Sequence, residues 1–179
     1  EGRPEHLVLV VVQRALHRPI LPVGATLMAM AVVVRRLEPA DRPAWSELWS
    51  GYLAFYETVL DAEVTERTWG RLLDPDEPMG ALVAVVPAAD EVVGLAHHVL
   101  HRSTWSPTSY CYLEDLFVAP AHRGAGVARA LIEATADAGA AAGATKLYWQ
   151  THRTNERARR LYDHVAHHDG FLVYERDLA

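Results

Sequence analysis

The densest chemistry in the chain lies between Leu116 and Ile132, in the run Leu-Phe-Val-Ala-Pro-Ala-His-Arg-Gly-Ala-Gly-Val-Ala-Arg-Ala-Leu-Ile. An apolar strand ends at Pro120, a turn holds Arg123, Gly124 and Gly126, and an alanine-rich helix starts directly after it. Small residues let backbone N–H groups approach a ligand closely, and the unsatisfied donors of a helix N-terminus favour an anion. This combination makes a pyrophosphate cradle, although glycine-rich turns also serve merely to start helices. Two other phosphate motifs fail on spacing. A dinucleotide fingerprint wants a small residue where Arg129 stands, and no Gly-Lys-Ser/Thr is present for a P-loop.

The elements that must position this turn are legible from Val32 onward. Val32 to Arg36 reads as a short strand, followed by turn and N-cap chemistry at Pro39 and Asp41. Trp45, Leu48, Trp49, Tyr52 and Phe55/Tyr56 recur at helical spacing, and Glu63 to Leu73 reads as a second helix. Ala81 to Val86 and Glu91 to Leu100 suit a hairpin, and Tyr110 to Val118 is a third strong strand. A helix from Gly126 to about Ala142 is closed by Gly143 as a C-cap glycine. Lys146 to Thr151 reads as a strand, Asn155 to Val165 as a helix and Gly170 to Arg176 as a final strand. The sum is an α+β fold with a mixed sheet.

On these residues the chain resembles the GNAT superfamily of N-acetyltransferases. Arg123-Gly-Ala-Gly126-Val-Ala128 matches the family's Arg/Gln-x-x-Gly-x-Gly/Ala acetyl-CoA motif. Upstream, Tyr112-Leu-Glu114-Asp-Leu-Phe-Val118 is similar to the catalytic strand of the spermidine/spermine (diamine) branch. Downstream, Asn155 and Tyr162 stand seven apart in Asn-x-x-Ala-x-x-Leu-Tyr, as in the family's later helix. The resemblance implies a GNAT domain over residues 32–179, a mixed central sheet flanked by helices, and acetyl-CoA bound between splayed central strands. It implies that the backbone of Leu116, Phe117 and Val118 meets the pantetheine arm. Arg123, Gly124, Ala125, Gly126, Val127, Ala128 and Arg129 would wrap the pyrophosphate. Asn155 would hold the pantetheine, and one or more of Arg153, Arg157, Arg159 and Arg160 would meet the 3′-phosphate.

It further implies catalytic roles for Glu114 and Tyr162. A primary alkyl amine, with a pKa near ~10.4, arrives charged at neutral pH, so a base must take its proton. Glu114 is the candidate, directly or through water, and Tyr162 is the candidate donor to the departing thiolate. Asp115 should point to the opposite face of a regular strand and is the weaker base. The implied acceptor is a primary amine, small and cationic in the polyamine/diamine manner. Protein lysine or N-terminal amines and antibiotic amines are alternatives, as is a CoA-binding sensor without turnover. Glu57, Asp61, Glu63, Glu66, Asp74, Asp76 and Glu77 outnumber Arg67 and Arg71 where the family places its acceptor helices, and could form an acidic mouth. They could equally be a solvated helix pair. Trp105, Tyr110 and Tyr112 could line the pocket.

No metal is expected. The histidines at 97, 98 and 101, and at 164, 167 and 168, lack a Cys set or a His-Glu-x-x-His pattern. Cys111 reads as a buried small hydrophobe. Within 179 residues, 17 Lys plus Arg face 23 Asp plus Glu, and the net charge of -6 argues against a nucleic-acid partner. No run reaches the ~18 apolar residues that span a bilayer, so no membrane partner and a cytoplasmic location are expected. A homodimer is left open. Residues 1–31 precede every matched motif, with the first methionines at Met28 and Met30. They read as a non-essential N-terminal extension, whose deletion over residues 1–29 should leave turnover intact.

Overall fold

A computed structural model describes residues 31–178. Nearly all of the proposed N-terminal extension therefore lies outside the described residues. The rest divides between Trp149 and Gln150 into two units. The first carries strands β1 (Val33–Arg36), β2 (Met79–Val86), β3 (Glu91–Arg102), β4 (Ser109–Val118) and β5 (Ala144–Tyr148). It also carries helices α1 (Arg42–Phe55), α2 (Ala62–Leu73) and α3 (Val127–Ala141), with single 3-10 turns at Pro39–Asp41 and Pro120–His122. The second unit holds α4 (Glu156–Val165).

The five strands form one sheet in chain order, antiparallel from β1 to β4 and parallel between β4 and β5. This is the mixed α+β architecture expected from the sequence. The parallel step needs a crossover, which α3 supplies. Helix α1 buries Trp45, Leu48 and Trp49 in a cluster with Leu72, Ala81, Val83, Val85, Leu95 and Phe117. Truncating a fully buried Trp such as Trp45 typically costs about 3–5 kcal/mol. Helix α3 packs on the opposite face, and its alanines and Gly139 allow close approach. A Cβ on Gly139 would lie 3.0 Å from the Cβ of Cys111, which is fully buried there.

β1 is tied to the start of α1 by an ion pair. Arg35 Nη1 and Nη2 each donate at 2.7 Å to the carboxylate of Asp41, and the Glu38 backbone N–H adds a third bond at 2.8 Å. Burial pushes the Asp41 carboxyl upward, but these three donors outweigh it and hold the group below the ordinary carboxylate value.

Two expectations need correction. The strand expected at Lys146 to Thr151 runs instead over Ala144–Tyr148, because the chain reverses at Gly143 (φ +81°) and pairs Ala144 with Ser109 at once. The final strand expected over Gly170 to Arg176 is absent. Its apolar composition suits a strand, but a strand exists only where a ladder partner satisfies its backbone. The segment carries no regular secondary structure, with Phe171, Leu172 and Tyr174 all more than three-quarters exposed.

Candidate active site

Glu114 owes its position to a break in strand regularity. Cys111 faces α3, whereas Phe117 packs under α1, its ring 2.8 Å from where a Cβ on Gly51 would lie. Residues six apart on a regular strand share a face, so one extra residue must intervene. The register shows which. Asp115 stands opposite His97 and Leu113 opposite His98, so Glu114 has no partner on β3. It is the inserted residue of a β-bulge, a device that re-aims side chains beside active sites. Asp115 is consequently not turned away from Glu114, as regular alternation would require. Both carboxylates act on the same tyrosines, Tyr52 and Tyr112.

Burial raises the Glu114 carboxyl above its ordinary value, and the adjacent Asp115 charge adds to the effect. Among the described residues neither carboxylate forms a salt bridge to Arg or Lys. Tyrosines surround the pair. Burial pushes Tyr112 up to about 12, with Glu114 contributing, and burial likewise raises Tyr52 and Tyr56, with Asp115 contributing. All three stay protonated at neutral pH and present hydroxyl donors. Tyr112 stacks at a tilt on Tyr148, 4.9 Å between centroids, and Tyr148 hydrogen bonds to His101 Nε2 at 2.9 Å.

Sequence reasoning missed Tyr52, Tyr56 and Tyr148 as site residues. The i, i+4 spacing of Tyr52 and Tyr56 on α1 was the available signal, masked because helical aromatics usually mean core. Tyr110 and Tyr112 do join the aromatic group, whereas Trp105 is 86% exposed in the β3–β4 loop. The acidic run on α2 and its flanks is partly neutralised, by Glu66 with Arg42, Glu63 with Arg67 and Glu77 with Arg71.

The cradle has the form that a diphosphate requires. Gly124 and Gly126 both hold φ +88°, a left-handed conformation that side chains rarely adopt, and a Cβ on either would project into open space. Gly126 is the N-cap of α3 and offers no side-chain cap, so the donors of the first turn remain for a ligand. Arg123 is held over the Phe117 ring at 5.2 Å, and its Nε donates to the Val118 carbonyl at 2.9 Å. The pairing of β4 with β5 ends at Tyr112↔Tyr148, while β4 runs on to Val118. The outer edge through Leu116, Phe117 and Val118 thus has no ladder partner among the described residues. An extended chain carrying an amide can add there as a strand would. These features fit acetyl-CoA.

In the second unit, Asn155 caps α4, its Oδ1 accepting from the Ala158 N–H at 3.3 Å and its Nδ2 donating to Thr151 Oγ1 at 3.2 Å. Tyr162 lies on the same helix, and Arg159 donates to the Arg153 carbonyl at 3.0 Å. Among the described residues no three His, Cys, Asp or Glu side chains form a metal-holding group, and no helix is long and apolar enough to cross a membrane.

Comparison with known proteins agrees with this geometry. The D-amino-acid N-acetyltransferase HPA3 of Saccharomyces cerevisiae is 34% identical over 146 residues, covering 82% of this chain and 91% of its own. The structure of AAC(6')-Iy in complex with the bisubstrate analog CoA-S-monomethyl-acetylneamine superposes with a TM-score of 0.71 at 17% identity, covering 83% of this chain and 99% of that one. The aminoglycoside acetyltransferase HMB0005, from an uncultured soil metagenomic sample, gives a TM-score of 0.67 at 26% identity, covering 84% and 100%. The model of the acetyltransferase (GNAT) family matches residues 38–166, which include the bulged strand, the glycine turn and α4, and the chain belongs to that family of N-acetyltransferases.

Proposed function

We propose that the enzyme acetylates a small cationic primary amine of the diamine or polyamine type, with Glu114 as base and Tyr162 as acid. The observation that carries the acceptor class is the Glu114/Asp115 pair. Two adjacent carboxylates without an Arg or Lys partner among the described residues, ringed by protonated tyrosines, favour an ammonium group and disfavour an anion.

Acetyl-CoA supplies the acetyl group as an activated thioester. The glycine turn from Arg123 to Gly126 and the start of α3, through Arg129, bind its diphosphate, and the open edge at Leu116, Phe117 and Val118 aligns its amide-bearing arm. Asn155 supports that arm, and the arginines of α4 neutralise its remaining phosphate. Glu114 accepts the proton of the ammonium group, which frees the nitrogen lone pair for attack on the thioester carbonyl. Its raised pKa brings it closer to that of the proton it must take, which makes it a better base than an ordinary carboxylate. After the attack the nitrogen releases its second proton to solvent, while Tyr162 gives its hydroxyl proton to the departing sulfur and regains one from solvent. Holding amine and thioester together supplies a further large part of the acceleration.

A D-amino acid is the second reading, favoured by the yeast relative's name. Its carboxylate would meet Glu114 and Asp115, an arrangement that the charge of the site disfavours. The deciding experiment is thiol release from acetyl-CoA with a panel of diamines, polyamines, D- and L-amino acids, an aminoglycoside and a lysine peptide. Diamines and polyamines are expected to give the highest kcat/KM. Release confined to D-amino acids or to aminoglycosides would replace the proposed acceptor. CoA binding without release from any amine would leave a CoA-binding module.

A further inference from the structure

Beneath Asp115 lies a chain of hydrogen bonds that the reaction as described does not use. The indole Nε1–H of Trp45, fully buried on α1, donates at 2.9 Å to Nε2 of His97 on β3, itself 2% exposed. On the other side of the ring, His97 Nδ1 lies 2.9 Å from Asp115 Oδ2. An indole nitrogen can only donate. His97 Nε2 must therefore carry a lone pair, and the ring proton sits on Nδ1, where it can only be given to Asp115. The direction of the whole chain follows from its buried end.

We propose that Trp45 and His97 are positioning residues that hold Asp115 as an aimed, acceptor-only carboxylate. Asp115 thereby acts as a fixed anionic partner to the incoming ammonium group while the neighbouring Glu114 takes the proton. This rests on the cationic-amine reading above. Three features separate it from ordinary core packing. The chain ends on a donor that does not titrate, so it cannot drain the substrate's proton inward. It fixes one tautomer of a buried histidine. It also terminates on the residue that pairs with His97 at the bulge, so the geometry that exposes Glu114 is the geometry that brings Asp115 to the imidazole. The neutral ring places no positive charge under the site, which a protonated histidine would do.

Two arms test this. The first needs no activity: long-range proton–nitrogen correlation spectra of the nitrogen-labelled full chain at neutral pH, with His97 assigned by its loss in a variant. His97 is expected as the neutral Nδ1–H tautomer. An Nε2–H tautomer or an imidazolium would overturn the proposal, whatever the enzyme acetylates. The second arm uses two amides of different reach. In His97→Asn the amide takes the Nδ1 place and can still donate to Asp115. In His97→Gln it takes the Nε2 place, keeping a partner for Trp45 but losing the donor to Asp115. The KM of the best cationic amine should stay within about twofold in His97→Asn and rise about tenfold in His97→Gln, with KM for acetyl-CoA unchanged in both. Equal amine KM values, or a better glutamine variant, would show that His97 only fills the core. If either variant fails to fold, judged by thermal unfolding, the tautomer in the wild-type protein decides. Absence of amine-dependent thiol release in the wild type would sink the functional reading and leave the tautomer result standing separately.

Discussion

Asp41 and the Glu114/Asp115 pair are carboxylates in one sheet-and-helix unit, yet they are treated in opposite ways. Asp41 is 6% exposed and receives three donors, two of them from Arg35, so its charge is fully compensated. Glu114 sits at an unpaired bulge with a second negative charge as its neighbour, and among the described residues neither has an Arg or Lys partner. The first arrangement lowers the carboxyl pKa and the second raises it. A carboxylate with every lone pair satisfied can only hold structure together. One left short of donors is able to bind a cation and take a proton.

Exchange of function for stability at Glu114 is the largest effect expected. Glu114→Gln should cost about 10²- to 10⁴-fold in kcat/KM, read by thiol release. Removing a charge beside Asp115 should at the same time raise Tm by about a degree or two. For the wild type, the acid limb of kcat/KM should lie above the range of an ordinary carboxylate, because the base must be ionised to act. Wild-type turnover in Glu114→Gln would break the contrast outright.

Asp41→Ala should show the reverse. Leaving Arg35 unpaired should destabilise the fold by about 3 kcal/mol, measured by denaturant unfolding, with turnover of the folded enzyme at 25 °C unchanged. Because the folded-state pKa of Asp41 is depressed, its contribution is present above the unfolded value of 3.8 and is lost as the pH falls through the folded value. Asp41→Asn should therefore flatten the acid arm of the stability curve. A smaller and narrower effect is expected at Tyr162. Tyr162→Phe should slow turnover at least about tenfold without weakening acetyl-CoA binding, measured by calorimetry, and an unaffected kcat would remove Tyr162 from the mechanism.

The parts legible in the sequence were those specified by contiguous residues. The glycine turn announces itself because only small residues hold φ +88° between a strand and a helix, and Gly143 marks the end of α3 for the same reason. The strand pattern of β2, β3 and β4 follows from their β-branched and aromatic runs. What stayed hidden depends on register and distance. Nothing in Tyr112 to Val118 states that Glu114 is an extra residue, since the bulge exists only relative to β3. Trp45, His97 and Asp115 are 52 and 18 positions apart, and each alone reads as core or as an edge carboxylate. The Phe171 to Tyr174 run shows the opposite error, in which composition suited to a strand finds no ladder in the described structure.

The bulge at Glu114 also bears on how this enzyme can change. Glu114 is one residue more than the ladder to β3 uses, since Leu113 and Asp115 already stand opposite the consecutive residues His98 and His97. Deleting Glu114 would restore a regular strand and leave Asp115 opposite His97 and Phe117 under α1. The residue proposed as base is thus one that the pairing of the strand does not need. Descendants of this sequence can lose it by substitution or by shortening the strand, and keep their fold either way. An inactive relative with one residue fewer between Cys111 and Phe117 should accordingly keep the same core under α1.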